Sequence, residues 1–143
     1  AKITLLGVAD KPGIAAEIFE PLGKNGINVD MVIQNISPDG KKTDLTFTVK
    51  RADLNEVINL IESNKDIVEY DSLSVNDTVS KISIIGAGMI TAPGVTYKMF
   101  RALADEKINI LAISTSEIKI SVIINEKNSA KSVKKLHSTF NLD

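Results

Sequence analysis

The 143-residue sequence contains no cysteine and no tryptophan. Disulfides, thiolate metal sites and a cysteine nucleophile are therefore excluded, and the composition agrees with a reducing compartment. Aromatic residues make up only 4% of the chain, too few for the stacking platforms with which a β-sheet holds single-stranded RNA. Neither sign of charge dominates, since 17 basic residues face 18 acidic ones, so there is no basic field for phosphates and no acidic tail. No apolar run approaches the roughly 20 residues of a membrane span, and the first residues do not form a signal peptide. The expectation is a soluble, cytoplasmic chain with neither nucleic acid nor membrane as a partner. It opens inside "AKITLLG" without an initiator Met, as a piece of a longer polypeptide would.

The hydrophobic content, 43%, is enough for a packed core, and the sequence repeats itself. Lys2, Ile3 and Gly7 align with Lys81, Ile82 and Gly86; after a short insertion Pro12, Gly13, Phe19, Leu22, Ile27 and Asn28 align with Pro93, Gly94, Phe100, Leu103, Ile108 and Asn109. The duplication predicts two domains, residues 1–78 and 79–143.

In the first repeat, residues 2–8 read as a strand, and Ile14, Ile18 and Leu22 recur at helical spacing. Asn25-Gly26 supplies the glycine stop. Residues 28–36 alternate, with Val29, Met31 and Ile33 on one face and Asn28, Asp30 and Gln34 on the other. "SPDGKK" is turn chemistry, after which Leu45, Phe47 and Val49 point inward. A helix through Leu54, Val57, Ile58 and Ile61 and a strand over residues 67–75 complete the order βαββαβ. The second repeat reads as strand 81–86, helix 94–106, strands 108–115 and 117–124 with Ile118, Ile120, Val122 and Ile124 inward, and helix 128–140. Its last strand is lacking; either the chain is cut short of it or a strand from elsewhere fills the gap. The fold class is α+β: two ferredoxin-like domains, each an antiparallel sheet with both helices on one face. Pro21 is a misfit, expected to kink or break the first helix.

Catalytic chemistry finds no footing. "GAGMIT" begins like a dinucleotide fingerprint, but its sixth position is Thr91, and the acids that follow, Asp105 and Glu106, sit at a helix end. His137 is the single histidine and has no ligating partner at the required spacing. Ser114, Thr115, Ser116 and Glu117 lack an activating base. No catalytic residue, metal or cofactor is expected.

What remains is a Pro-Gly step before a helix in both repeats, "DKPGIAAEIF" and "TAPGVTYKMF". It can be a plain strand-to-helix turn, with Pro opening the helix. It can also leave the first N–H groups of the helix open to a small carboxylate. Asp10 could receive an ammonium, and Asn28, Asp30 and Gln34 add polar groups; Thr96, Asn109 and Ser116 hold comparable places in the second repeat. Carboxylate and ammonium receptors together describe a free amino acid.

Through "DKPGIAAEIF", "INVDMVIQNIS", "TDLTFTV", "ISIIGAGM", "APGVT" and "INILAISTSEIKISVII" the whole chain resembles the paired ACT regulatory domains at the C-terminal end of aspartate kinase. The resemblance implies an allosteric sensor of threonine, lysine or both, inhibiting the ATP-dependent phosphorylation of aspartate, with this chain a regulatory part and no enzyme by itself. It implies a homodimer in which ACT sheets pair side by side, a catalytic domain or subunit as partner, and effectors bound at the seams. One site would combine Asp10, Gly13, Ile14, Ala15 and Gln34 with Asn109 and Ile110 of a facing repeat; the other would combine Val95, Thr96 and Ser116 with Asn28, Val29 and Asp30. Because Asp10 answers to Met89 and Gln34 to Thr115, the two sites should differ, with threonine expected at the first. A stand-alone ACT regulator and a purely structural dimerisation module remain as alternatives.

Overall fold

A computed structural model of the chain describes residues 1–86, 94–116 and 118–140. The chain divides into two compact units, Ala1–Asp77 and Thr78–Asp143. In the first, strand β1 (Lys2–Ala9) leads to helix α1 (Ile14–Lys24), strands β2 (Val32–Ile36) and β3 (Lys42–Thr48), helix α2 (Leu54–Ser63) and strand β4 (Ser72–Asn76). In the second, strand β5 (Val79–Ile85) is followed by helix α3 (Val95–Asp105), strands β6 (Ala112–Thr115) and β7 (Lys119–Asn125), and helix α4 (Ser129–Thr139).

The first sheet has the order β2-β3-β1-β4, and every neighbour is antiparallel. Ile3, Leu5 and Val8 of β1 and Leu45 and Phe47 of β3 share one core with Ile14, Ile18 and Leu22 of α1 and Leu54, Val57 and Ile61 of α2. Both helices therefore cover the same sheet face, as alternating strands and amphipathic helices require. Phe19 meets Phe47 edge to face, with centroids 5.2 Å apart, the arrangement favoured by the ring quadrupoles.

The second sheet has the order β5-β7-β6 among the described residues, also antiparallel. Ile120, Val122 and Ile124 pack with Ile84 beneath Met99, Ala102 and Leu103 of α3 and Leu136 of α4. Compared with β4-β1-β3-β2, no strand lies outside β5 among the described residues. This is the ferredoxin-like arrangement with a shortened second repeat.

Several boundaries differ from the sequence reading. The first of the two hairpin strands begins at Val32, because Asn28–Met31 forms a connection bonded to the end of β3 rather than a ladder: Asp30 N–H donates to the Thr48 carbonyl at 3.0 Å and Met31 N–H to Thr48 Oγ1 at 3.0 Å. Residues 64–71 are turn and loop, so β4 starts at Ser72; Val68 alone of its first half is buried. Ile118 precedes β7 and is exposed, not inward. Pro21 lies inside α1, which continues past it to Lys24. The N–H that Pro21 lacks would have served the carbonyl of Glu17, an exposed residue, so the loss falls on the solvent side.

Candidate functional site

The Pro-Gly turn differs from the expected one in where the helix begins. Pro12 lies one residue before the N-cap, and Gly13 is that cap, with φ 84° and ψ −2°. Gly94 takes the same conformation before α3, φ 88° and ψ −5°. This left-handed geometry is open to glycine and strained for residues with a Cβ. No side chain caps α1. Ile14 N–H donates to the Lys11 carbonyl and Glu17 N–H to Gly13, so the N–H groups of Ala15 and Ala16 are left as the open donors of the first turn. Two open donors at the positive end of a helix dipole can attract an anion.

Asp10 comes earlier in the same β1–α1 connection. Its N–H donates to the Lys41 carbonyl at 2.9 Å, extending the β1–β3 ladder one residue past Ala9↔Lys42. Gln34 pairs in register with Leu45, and cross-strand partners share a face; it thus stands on the helix-bearing side, exposed on an edge strand. Asp10, Gly13, Ile14 and Ala15 follow one another past the end of β1, whereas Gln34 is the middle residue of β2, across β3 from β1. Asn28, Val29 and Asp30 precede β2, with Val29 packed on the core and Asn28 and Asp30 exposed. They do not join the first group within their own unit, nor do Asn28 and Asp30 share a strand face with Gln34 as the alternation suggested.

The second unit repeats the plan. Val95 packs on the core and Thr96 is exposed at the start of α3. Ser116 follows β6, its N–H donating to the Lys119 carbonyl at 2.7 Å, near Gly86, whose N–H bonds Ile118. Asn109 and Ile110 precede β6 at the opposite end, where Leu111 N–H bonds Ile123. Gly88, Met89, Thr91, Pro93 and Glu117 lie outside the described residues.

A groove of about 410 Å³ runs between α3 and α4, lined by Gly94, Tyr97, Lys98, Arg101, Asp105 and Lys135, and none of the predicted site residues lines it. Another, about 360 Å³, lies between α1 and α2 beside Glu17, Pro21 and Lys24. The predicted residues instead occupy open sheet ends and a sheet edge. Among the described residues no cluster of His, Cys, Asp or Glu could hold a metal ion, and no helix is long and apolar enough to cross a membrane.

The sequence reading missed one feature of this end of the sheet. Leu6 and Gly7 together oppose Asp44, because the β1–β3 register shifts between Leu5 and Val8. Gly7, at φ 68°, donates its N–H to Asp44 Oδ1 at 2.9 Å. A glycine interrupting an apolar strand was the available signal.

The ACT domain family matches residues 2–66 and again residues 82–140. An aspartokinase of Corynebacterium efficiens is 45% identical over 144 residues, and one of Helicobacter pylori is 44% identical over 143. The alignments take in 99% and 100% of this chain but 34% and 35% of those proteins, so the chain spans about a third of the length of these relatives. Among solved structures, one of aspartokinase alpha and beta subunits superposes with a TM-score of 0.89 at 43% identity, covering 98% of this chain and 91% of that one. The ligand-free regulatory subunit of aspartate kinase from Thermus thermophilus gives 0.87 at 36% identity, covering 97% and 91%. With two ACT matches in tandem, aspartokinase relatives that it matches over about a third of their length and similarity to a regulatory subunit along nearly its whole length, the chain belongs to the ACT-domain regulatory part of the aspartokinase family.

Proposed function

We propose that the chain is an allosteric sensor of free amino acids, taking threonine and/or lysine, and that ligand binding feeds back on the ATP-dependent phosphorylation of aspartate by a catalytic domain or subunit. The observation that carries this reading is the uncapped start of α1, two open N–H groups at Ala15 and Ala16 for a carboxylate; Asp10, earlier in the same β1–α1 connection, would take the ammonium. Gln34, on the same sheet face at the exposed edge, suits the ligand's side chain. Asp10, Gly13, Ile14, Ala15 and Gln34 form one half-site; Val95, Thr96 and Ser116 form a second around α3. Asn28, Val29, Asp30, Asn109 and Ile110 are strand-end groups that would close half-sites of neighbouring ACT units in a homodimer paired sheet to sheet. Threonine is assigned to the first half-site, and the setting is cytoplasmic.

A ligand held at such a seam favours one arrangement of the dimer, and it inhibits only as far as its affinities for the two arrangements differ. A coupling of about 1–3 kcal/mol is ordinary for such regulation. Calorimetric titration with threonine, lysine and methionine tests the reading. Threonine should release or absorb heat and raise the melting temperature, and Asp10→Ala or Gln34→Ala should weaken its binding by about tenfold, the equivalent of one charge-assisted contact. Absence of heat and of any thermal shift with all three amino acids overturns it.

A further inference from the structure

We propose that Asp44 is the positioning residue of the first half-site, acting through a one-residue bulge at Gly7; this rests on the effector reading above. Register carries the argument. From Lys2 to Leu5, β1 pairs with β3 in a constant register that puts Ile3 and Leu5 inward. Continued without interruption, that register would turn Gly7 and Ala9 inward and send Val8 and Asp10 to the opposite face, because a one-residue slip exchanges the faces of a strand. The bulge prevents this. Val8 becomes fully buried in the core, and alternation past it brings Asp10 to the helix-bearing side, where α1 begins and Gln34 lies.

A bulge leaves a backbone N–H without its ladder partner. Here the Asp44 carboxylate takes the N–H of Gly7 at 2.9 Å, a charge-assisted bond from the residue that the bulge itself straddles. The opposite flank is closed by Asp71. Its N–H donates to the Leu6 carbonyl at 2.8 Å, its carboxylate receives both contacts of Lys42 Nζ at 3.1 and 3.2 Å, and a Cβ at position 7 would collide with it.

The second unit serves as an internal control. Gly86 holds the place of Gly7, yet β5 keeps one register from Val79↔Asn125 to Ile85↔Lys119, and Gly86 N–H continues the ladder to Ile118. Matching Leu45 to Ile120 as inward core residues puts Lys119 where the first unit has Asp44. An ammonium has no acceptor for a backbone N–H. The two half-sites therefore differ in strand geometry as well as in lining residues, and the difference originates at Asp44.

The experiment compares the wild-type chain with Asp44→Ala, Asp44→Asn, Asp44→Lys and, as a control for general loss of stability, Ile58→Val on α2. Amide spectra and calorimetric titration with threonine are recorded for each. Asp44→Ala and Asp44→Lys should move the amides of Gly7 through Ala16, leave those of Asn28 to Asp30 in place, and weaken threonine by about tenfold or more, the range set by losing a partner of a charged acceptor. Asp44→Asn keeps an acceptor and should restore binding to within about threefold of wild type. Ile58→Val should lower the melting temperature without changing threonine affinity. Unchanged amides at Gly7 to Ala16 in Asp44→Ala, or threonine affinity tracking melting temperature across all variants, overturns the positioning role. A wild-type chain that binds no amino acid overturns the effector reading and the positioning of a ligand with it, while the amide shifts still decide the bulge.

Discussion

Thr4 Oγ1 lies 3.0 Å from Thr46 Oγ1 across β1 and β3. Ser83 and Ser121 repeat the contact at 2.7 Å across β5 and β7, at the corresponding ladder rung of the second unit. Both pairs stand opposite the helix-bearing faces, since their strand neighbours Leu5, Leu45, Ile84 and Ile120 are core residues.

Cross-strand hydroxyl pairs of this kind contribute about 0.2–1 kcal/mol. Thr4→Val and Thr46→Val, made singly and together, should show a coupling energy in that range by denaturant unfolding. Ser83→Ala should cost more than Thr4→Val, because Ser121 is 2% exposed and would keep a buried hydroxyl without its partner, a penalty of about 1–3 kcal/mol. A zero coupling for the threonines, or a cheaper loss at Ser83, contradicts this.

Much of this architecture was legible because Leu45, Phe47 and Val49 alternate with period two while Ile14, Ile18 and Leu22 recur at helical spacing, and each pattern buries one face only. The N-terminal half of the predicted second strand failed for a physical reason. Asn28–Met31 also alternates, but its hydrogen bonds go to the end of β3 through Thr48 and form no ladder. Of the candidate site, the Pro-Gly turns were visible as a repeated pair. Of the Gly7 bulge only the interrupting glycine was visible; its partner was not, since the carboxylate lies 37 residues away, and Gly86 interrupts β5's sequence run in the same way without a register shift.

Pro21 invites a second test. It occupies the interior of α1, where proline removes a hydrogen bond and costs about 3 kcal/mol relative to alanine. Proline also restricts the unfolded chain, which recovers about 0.4–1 kcal/mol. Pro21→Ala should therefore raise stability by about 1–3 kcal/mol, read as a higher urea midpoint at unchanged slope. A lower midpoint would show that packing of the pyrrolidine ring outweighs the backbone term.

The β2–β3 turn should respond to acid through Asp39. Its Oδ1 accepts the Ser37 hydroxyl at 2.6 Å and the Lys41 N–H at 2.9 Å. These bonds, the Ser37 hydroxyl foremost, hold the carboxyl below its ordinary value of 3.8. A carboxylate depressed in the folded state stabilises the fold above its unfolded pKa, and the contribution is lost as pH falls through the folded one. The turn should thus keep its geometry through the mildly acidic range and loosen only below the ordinary aspartate range. A carboxyl titration followed by NMR should place Asp39 below a typical aspartate, with Ser37→Ala moving it back up; an unshifted midpoint in the wild type rejects the assignment.

Lys107 provides the sharpest comparison between the repeats. Helices α1 and α3 end in the same way: Ile27 N–H donates to the Leu22 carbonyl and Gly26 N–H to Gly23, while Ile108 N–H donates to Leu103 and Lys107 N–H to Ala104. This is the Schellman closure, in which the residue after the cap adopts the left-handed conformation. Gly26 does so at φ 72°, whereas Lys107 does so at φ 58° with a side chain. A left-handed L-residue costs about 1–2 kcal/mol through the clash of its Cβ with the following carbonyl, a clash glycine avoids. The closure persists at Lys107 because Ile108 and Leu103, which it brings together, are both buried in the second core. Glycine at this position loses more entropy on folding, which offsets part of the gain. Lys107→Gly should therefore stabilise the protein by about 0.5–1 kcal/mol and Gly26→Lys should destabilise it by a similar amount, both measured by denaturant unfolding. Opposite signs for the two exchanges are the diagnostic result, and a loss of stability in both would assign Lys107 a side-chain role stronger than its backbone strain.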